Sequence, residues 1–265
     1  MERDCRKISR VKKAIKEKVL MRYAIISDIH SNLESLKAFL ELIPEYLIEK
    51  IICLGDIVGY NTNPDECVKI LSMLKNISFI RGNHDRAFIE KDYDYFSENA
   101  RKAIIWTIKN TKPETKDFIK NIEPGPKLID DLFMIAHGSL VDEDLYIFSK
   151  KDTKYDFKLL KEYGVNISFF GHTHWQTAFK LDKNDITEEI KSPEIKLKKN
   201  NFYLINPGSI GQPRDRDPRA SFTVFDTAQN SIQIVRFNYN FAKTQEKIIK
   251  NRLPQLLADR LAVGF

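Results

Sequence analysis

The sequence predicts an α/β fold, built as one domain from two packed β-sheets with helices on the outside. Apolar runs of strand length alternate with helical stretches from residue 23 to residue 80, which is the βαβαβ rhythm of a parallel sheet with right-handed crossovers. The second half of the chain is rich in strand-like segments, and no repeat or low-complexity linker divides it. We therefore expect residues 21–265 to form a single domain.

The elements of the first half follow from apolar periodicity and from proline. Apolar runs predict strands at residues 23–28, 50–54 and 77–80. Residues 32–43 carry apolar side chains at helical spacing until Pro44 stops the pattern, and Pro64 suits the first position of the next helix. From Arg86 to about Ile122 the pattern becomes helical and polar, which predicts a helical lobe over residues 86–122.

Strand-like runs resume after this lobe. They predict strands at residues 132–136, 167–170, 176–181, 202–205, 221–225 and 232–237. A helix near residues 156–163 ends at Gly164, and a C-terminal helical stretch over about residues 242–261 is broken near Pro254. The highly charged segment 180–201 indicates a hairpin or an excursion at the surface.

The net charge of +6 is concentrated in a basic N-terminal extension, residues 1–20, which holds eight Lys and Arg against three Asp and Glu. The remaining chain carries 35 basic and 34 acidic residues, so its body is close to neutral. A neutral body does not favour a nucleic-acid groove, and we expect no nucleic-acid partner.

Three interpretations of the extension stay open. Ile8, Val11, Ile15 and Val19 fall roughly on one face of a helix, which would suit contact with a membrane surface or a partner. A solvated tail with no role is the simpler interpretation. Alternatively the natural start is Met21, because the first strand begins directly after it.

Cysteine usage and hydropathy indicate the compartment. No stretch approaches the ~18 apolar residues of a membrane span, and the N-terminus lacks the apolar run of a secretory signal. Cys5, Cys53 and Cys67 are odd in number and show no CxxC spacing, which predicts free thiols in a reducing compartment. We expect a cytoplasmic protein.

Five short polar motifs follow apolar runs, and they contain every histidine of the chain. The motifs are Asp28-Ile29-His30, Gly55-Asp56, Gly82-Asn83-His84-Asp85, His137-Gly138 and Gly171-His172-Thr173-His174. The carboxyl ends of strands form the ligand-binding edge of an open α/β sheet. Residues two apart along an extended chain point the same way, so Asp28 and His30 are expected to reach one ion together, as are His172 and His174.

This mixture of carboxylate, imidazole and amide suits two divalent transition-metal ions, with manganese favoured over iron, zinc or nickel. Two ions about 3.5–4 Å apart need a shared anionic ligand, and Asp56 is the natural bridge. Such a pair lowers the pKa of a bridging water toward ~7 and clamps a phosphoryl group for in-line attack. The motifs therefore predict metal-assisted hydrolysis of a phosphoester.

The motif series resembles the calcineurin-like metallophosphoesterase superfamily. Later segments resemble its small prokaryotic branch, often grouped with diadenosine tetraphosphatases. These segments are residues 206–209, 211–214, 217–220 and 253–258. The resemblance implies a four-layer αββα sandwich, in which two mixed β-sheets are flanked by helices and a di-metal site lies at the rim.

The resemblance also implies roles for the motif residues. The first metal would be held by Asp28, His30 and His174. The second metal would be held by Asn83, His137 and His172, with Asp56 bridging the two. His84 would face the scissile phosphate and protonate the leaving group or stabilise developing charge, and Asp85 would orient or shield His84.

One departure is informative. The protein Ser/Thr phosphatases of this superfamily resemble a Gly-Asp-x-x-Asp-Arg-Gly pattern, but here Gly59 stands at the position of the second carboxylate and Tyr60 at that of the arginine. The difference disfavours a protein phosphatase. Tyr60 could stack on a base or a leaving group, or it could pack the loop, and both interpretations stay open.

Three arginines are candidates for binding phosphate, because guanidinium suits multidentate oxyanions. They are Arg214, Arg216 and Arg219. Arg219 would equally suit a structural role that fixes the turn at residues 206–209.

The sequence thus predicts a phosphoric ester or anhydride hydrolase that acts on a small soluble substrate by in-line attack of a metal-bridging hydroxide. The branch resemblance favours a dinucleoside polyphosphate, and general phosphodiesterase or phosphomonoesterase activity is the alternative. A non-catalytic scaffold, such as the phosphoesterase-like subunit of retromer, is disfavoured because this chain keeps every ligand and His84. A nuclease is disfavoured by the near-neutral body.

Overall fold

The structure is a computed structural model, and it describes residues 20–265. The basic extension therefore lies outside the described residues except for Leu20, and so does the apolar pattern at Ile8, Val11, Ile15 and Val19. Within residues 20–265, no helix has the length and apolar character needed to cross a membrane.

The helices and strands alternate as the sequence predicts, with small shifts at their ends. The helices are α1 (Leu33–Leu42), α2 (Pro64–Met73), α3 (Asn83–Glu90), α4 (Glu98–Asn110), α5 (Pro113–Lys120), α6 (Lys154–Tyr163), α7 (Phe241–Lys250) and α8 (Gln255–Asp259). The strands are β1 (Arg22–Ile26), β2 (Lys50–Cys53), β3 (Ile77–Phe79), β4 (Lys127–Ile129), β5 (Phe133–Ile135), β6 (Ile167–Phe169), β7 (Thr177–Leu181), β8 (Thr187–Glu189), β9 (Glu194–Lys196), β10 (Phe202–Asn206), β11 (Ala220–Asp226) and β12 (Ser231–Phe237).

The strands form two mixed, six-stranded sheets. The first sheet has the order β3-β2-β1-β11-β12-β9, in which β1, β2 and β3 run parallel and the other pairs are antiparallel. The second has the order β4-β5-β6-β10-β7-β8, in which β5, β6 and β10 run parallel. Residues 180–201 form part of the β7–β8 hairpin and then cross to the edge of the first sheet as β9.

Aromatic and aliphatic side chains fill the space between the two sheets. Tyr23 on β1 meets Phe133 on β5 edge-to-face at 5.1 Å, and Phe133 meets Phe169 on β6 at 5.3 Å. All three side chains are fully buried. This layer fixes the distance between the sheets, and with it the distance between loops that follow strands of different sheets.

Helices cover the outer face of each sheet, which completes the four-layer αββα arrangement. Helices α1 to α5 pack on the first sheet, where Phe39 of α1 meets Phe222 of β11 at 5.1 Å. Helix α6 packs on the second sheet through the buried Phe157 and Leu160. The C-terminal helices α7 and α8 join a separate cluster that contains Tyr60, and the break between them at Pro254 is confirmed.

Candidate metal centre and active site

The predicted motifs lie at the carboxyl ends of strands in both sheets. The loops after β1 and β2 carry Asp28 and Asp56, and Asn83 is the first residue of α3, which follows β3. The loops after β5 and β6 carry His137 and His172. Backbone hydrogen bonds join these loops directly. The amide of Asp28 donates to Gly55 O at 3.1 Å, and the amide of Gly171 donates to His137 O at 2.6 Å. The site therefore spans the two sheets at one edge of the sandwich.

The backbone at the ligand positions differs from the extended chain that the sequence analysis assumed. Left-handed φ values occur at Asp28 (55°), His30 (47°), Asp56 (54°), His172 (65°) and His174 (56°). The alternation rule used for the Asp28–His30 and His172–His174 pairs was therefore wrong. Asp28 and His30 still face the same group of ligand atoms, but His172 and His174 belong to two different groups. Such backbone conformations cost of order 1–3 kcal/mol each in non-glycine residues, and they cluster at functional sites where the surrounding structure holds them.

The first group of converging side chains consists of Asp28, His30, Asp56 and His174. One potential ligand atom from each lies within 4.8 Å of the others. His30 Nε2 is 3.4 Å from Asp56 Oδ2, and His174 Nε2 is 3.4 Å from Asp28 Oδ1. The Nε2 atoms of His30 and His174 approach to 3.1 Å, on rings that stack at 4.7 Å. Four buried ligand atoms thus face one small volume.

The second group consists of Asp56, His137 and His172, whose potential ligand atoms also lie within 4.8 Å of one another. His137 Nε2 is 3.4 Å from Asp56 Oδ2 and 3.1 Å from Asn83 Oδ1. The amide of Asn83 therefore faces this second group. Asp56 belongs to both groups, so its carboxylate lies between two candidate metal positions.

The four histidines among the candidate metal ligands each have one ring nitrogen next to a backbone carbonyl. His30 Nδ1 lies 3.1 Å from Val58 O, His137 Nδ1 lies 2.8 Å from Leu54 O, and His174 Nδ1 lies 2.6 Å from Gln212 O. A ring that donates its Nδ1–H to a carbonyl keeps the Nε2 lone pair free for a metal. His172 is held the other way, because its Nε2 lies 3.2 Å from Asp144 O.

Protonation and hydrogen bonding both fit a cation site. Burial holds the pKa of His30 and of His174 well below the usual range, so both rings are neutral and able to ligate. Burial opposes charge on Asp56 and His137 as well, but their mutual attraction keeps the pKa of Asp56 low and raises that of His137 to about 10. Within residues 20–265, Asp28 Oδ1 is buried without a hydrogen-bond partner. A divalent cation would satisfy this oxygen and replace the His137 proton.

His84 lies in the first turn of α3, where its backbone amide donates to Asp56 Oδ1 at 2.8 Å. Its imidazole is 5% exposed and packs among three rings, at 4.4 Å from Phe96, 4.5 Å from Tyr60 and 4.8 Å from His30. Burial lowers the pKa of His84 to about 4, so the ring is neutral at pH 7. Its Nδ1 is buried and has no hydrogen-bond partner within the described chain.

Gly59 explains why no carboxylate pairs with His84. Gly59 has a φ of 99°, and a Cβ atom built on it would lie 2.6 Å from His84 Nδ1. A side chain of any kind would therefore collide with the imidazole in this position. The glycine that departs from the protein-phosphatase pattern is thus required by the ring next to it.

Asp85 makes no hydrogen bond to the His84 imidazole within the described residues, and its carboxylate binds backbone amides instead. Its Oδ1 accepts hydrogen bonds from the amides of Ile57 (2.9 Å) and Val58 (3.1 Å), and its Oδ2 accepts one from Gly82 (3.2 Å). The carboxylate joins the loop after β2 to the start of α3. Any effect of Asp85 on His84 therefore passes through the backbone.

A cavity of about 390 Å³ opens beside His84, Asn83 and His172. Two of the four substrate-binding candidates, Tyr60 and Arg214, line this cavity. The sequence analysis missed the aromatic residues Tyr95, Phe96 and Tyr146 and the cation Arg260, which also line the cavity. No local motif marks these four residues, because they reach the site from two loops and from the C-terminal segment.

The other two arginine candidates lie elsewhere. Arg219 pairs with Asp217, with Nη2 at 2.6 Å from Oδ2, and Arg216 is exposed while its amide donates to Gly264 O at 2.7 Å. Neither lines the cavity. The turn at residues 206–209 is fixed by the Ser221 hydroxyl, which donates to Pro207 O at 2.7 Å, so it does not need Arg219.

Comparison with known proteins agrees with this arrangement. A family model described as the calcineurin-like phosphoesterase superfamily domain matches residues 21–230. An uncharacterised protein of Methanocaldococcus jannaschii is 40% identical over 247 residues, which cover 91% of this chain and 97% of that protein.

Two solved structures have the same fold over most of their length. A metallophosphoesterase from Sphaerobacter thermophilus has a TM-score of 0.79 and 32% identity, covering 93% of this chain and 100% of that one. A hypothetical protein from Pyrococcus horikoshii has a TM-score of 0.75 and 20% identity, covering 92% and 98%. The family match over residues 21–230 and the 32% identity to the Sphaerobacter thermophilus protein show that the chain belongs to the calcineurin-like phosphoesterase superfamily.

Proposed function

We propose that the protein is a di-metal phosphoesterase that hydrolyses a small phosphate ester or anhydride. The observation that carries this proposal is the position of Asp56, whose carboxylate belongs to two buried groups of potential ligand atoms at once. A shared carboxylate is what two close divalent ions require. Membership of a phosphoesterase superfamily supports the same chemistry.

Each candidate ligand has a place in this proposal. The first metal would be held by Asp28, His30, His174 and Asp56, and the second by Asp56, Asn83, His137 and His172. Two divalent ions at these positions would supply an activated water and neutralise charge on the phosphoryl oxygens. Neutral imidazoles and one amide limit the negative charge around them, and manganese, iron, zinc and nickel all accept such ligands. We favour manganese.

His84 would act on the leaving group. Its Nδ1 faces Gly59 and is closed to solvent, so the other edge of the neutral ring is the one available to substrate in the cavity. A neutral imidazole holds one N–H, which it can donate to the developing charge on the leaving oxygen. Asp85 would serve as a positioning residue, because it ties the start of α3 to the loop that carries Asp56.

The aromatic rim supports a substrate with a planar group. Tyr146 stacks on His172 at 4.0 Å and on Phe148 at 5.2 Å, and Phe148 meets Trp175 at 5.9 Å. Tyr146, Phe148 and Trp175 are about half exposed, so part of each ring is accessible to a ligand. Exposed stacking surfaces of this kind bind nucleobases. We therefore prefer a dinucleoside polyphosphate as substrate and keep general phosphodiesterase or phosphomonoesterase activity as the alternative.

We further propose a cytoplasmic location and no nucleic-acid partner. Cys53 and Cys67 are buried free thiols, as expected in a reducing compartment. The near balance of charge over residues 21–265 supports binding of small molecules over nucleic acid.

The test is a hydrolysis assay with a panel of substrates and metals. Metal-depleted protein would be supplied with manganese, iron, zinc or nickel and offered bis(p-nitrophenyl) phosphate, p-nitrophenyl phosphate, cyclic nucleotides and dinucleoside polyphosphates. We expect hydrolysis that requires added metal and is fastest with the dinucleoside polyphosphates. Hydrolysis of none of these with any metal would favour the scaffold interpretation.

A further inference from the structure

Two guanidinium groups lie over the ring of Tyr60 in the wall of the active-site cavity. Arg214 Cζ is 5.4 Å from the ring centroid and Arg260 Cζ is 6.0 Å from it. The backbone of Arg214 contacts the loop that carries His172 and His174, whereas Arg260 directly follows the end of α8. Their shared contact with Tyr60 brings two positive charges together beside the candidate metal centre.

Neither charge is compensated by a carboxylate side chain within residues 20–265. Arg214 Nη2 donates to the neutral Gln212 Oε1 at 3.1 Å, and its Nε is buried without a partner. Arg260 Nε donates to the main-chain oxygen of the last residue, Phe265, and its two Nη groups make no hydrogen bond within residues 20–265. Every other arginine of the described chain is either ion-paired with a carboxylate or exposed.

The proximity of the two cations is costly without an anion. Burial, together with the charge of Arg214, lowers the pKa of Arg260 to about 10, so the Arg260 guanidinium is still charged at neutral pH. Like charges held in a partly buried cavity repel one another, and an oxyanion between them would remove that repulsion while accepting their hydrogen bonds.

The fold holds both arginines in place. The amide of Arg214 donates to His174 O at 3.2 Å, which ties it to a candidate metal-ligand loop. Arg260 follows the buried Leu257 and Ala258 and precedes the buried Leu261, and these pack in the cluster that contains Tyr60. The pair is thus part of a built wall and does not depend on free surface side chains.

We propose that Arg214 and Arg260 bind a second phosphoryl group of the substrate, next to the one that is cleaved at the metal centre. This inference rests on the proposed phosphoesterase function and narrows its substrate class to phosphoanhydrides. Guanidinium groups donate hydrogen bonds to phosphate oxygens in bidentate geometry, and His84, Asn83 and His172 line the same cavity as the arginine pair. The candidate metal centre and the arginine pair therefore face one cavity, as binding of two linked phosphoryl groups requires.

The test measures binding and does not depend on turnover. Titration calorimetry on manganese-loaded protein would compare methylenebisphosphonate, which has two phosphoryl groups and is not hydrolysed, with methylphosphonate, which has one. For Arg260→Gln we expect the Kd of the bisphosphonate to rise by about tenfold or more, because a charged hydrogen-bond donor is lost. The Kd of methylphosphonate should stay within about twofold.

Two further variants serve as controls. Arg260→Lys keeps the charge without the planar fork and should give an intermediate Kd for the bisphosphonate. Arg252→Gln makes the same chemical change at an exposed arginine outside the cavity and should leave both Kd values unchanged.

The results that overturn the inference differ from those that overturn the proposed function. An unchanged bisphosphonate Kd in Arg260→Gln, or an equal weakening of both ligands, would refute a second phosphoryl site. Failure of the metal-loaded protein to hydrolyse any phosphoester would refute the phosphoesterase function even if the two Kd values behaved as expected.

Discussion

His84 is the residue on which the proposed chemistry depends most, and its surroundings are mainly aromatic. Phe96, Tyr60 and His30 pack around the ring, and Gly59 leaves just enough room for Nδ1. Burial keeps the imidazole neutral with a pKa of about 4. A neutral ring without a carboxylate partner is suited to donate one hydrogen bond, and it is poorly suited to carry a positive charge.

Replacing His84 with alanine tests this role. We expect His84→Ala to retain both metals, because the backbone amide that contacts Asp56 stays in place, but to lower kcat by about 10²–10³-fold, the usual cost of losing one hydrogen-bond donor to charge that develops in the transition state. Metal content by mass spectrometry and kcat on an activated phosphodiester would be measured on the same preparation. Loss of metal from this variant would show that the role assignment is wrong.

At the scale of elements, one loop after β10 fastens the two sides of the site together. Asn206 Nδ2 donates to Gly171 O and to Thr173 Oγ1, both at 2.9 Å, within the loop that carries His172 and His174. In the same segment the Ser209 hydroxyl donates to Asp28 O at 2.9 Å. Since Asp28 and His172 come from different sheets, this loop is a support that holds the strained ligand loops in register.

Removal of the Asn206 amide should therefore loosen the metal centre. For Asn206→Ala we expect the affinity for manganese to fall by about 10–100-fold, the usual effect of losing a residue that supports metal ligands. Turnover at saturating manganese should be affected much less. The measurement is activity as a function of free manganese concentration.

Asn166→Ala is the matched control. Asn166 directly precedes β6, at the end of the strand opposite to the loop that carries His172 and His174. Its Nδ2 lies 3.5 Å from Asn201 O. It should leave the manganese dependence unchanged. An equal shift in both variants would mean that Asn206 acts on general stability instead of on the site.

At the scale of the whole molecule, the net charge of the full chain differs from that of the folded domain, residues 21–265. Removing residues 1–20 takes the net charge from +6 to +1. Met21 is already held by the body of the protein, since its amide donates to Thr227 Oγ1 at 2.7 Å. The contacts that build the site lie among residues 28–265.

We expect a chain that begins at Met21 to fold as one cooperative unit and to keep its kcat and KM within about twofold, a change below 1 kcal/mol in transition-state stabilisation. Thermal unfolding and steady-state kinetics on both chains would be compared. Two separate unfolding transitions would contradict the single domain over 21–265. A large loss of activity would instead assign a role to the basic extension.

Much of the fold was predictable because its signals are local. The parallel strands of the two sheets lie in apolar runs of the sequence, and proline or glycine marks the ends of α1 and α6. Strands β4, β8 and β9 were not predicted as separate strands, since each is short and contains at least one exposed residue, so none forms an apolar run. Their pairing depends on neighbouring strands and not on their own pattern.

The site was predictable only in part for the same reason. Asp28, Asp56 and the five histidines carry recognisable motifs, so their convergence could be expected. Their left-handed backbone could not, because glycine is the usual residue for that conformation and no glycine occupies these positions. Arg260 was also not predicted, because its contact with Tyr60 joins residues that are 200 positions apart in the sequence.

A crystal structure of the protein grown with excess manganese, with anomalous diffraction to locate the ions, is the most direct test of the shared carboxylate. We expect two manganese ions about 3.5–4 Å apart, with oxygen atoms of Asp56 coordinating both. The variant Asp56→Asn, treated identically, should lose both ions together. A single ion, or two ions that share no ligand from Asp56, would contradict the proposed centre.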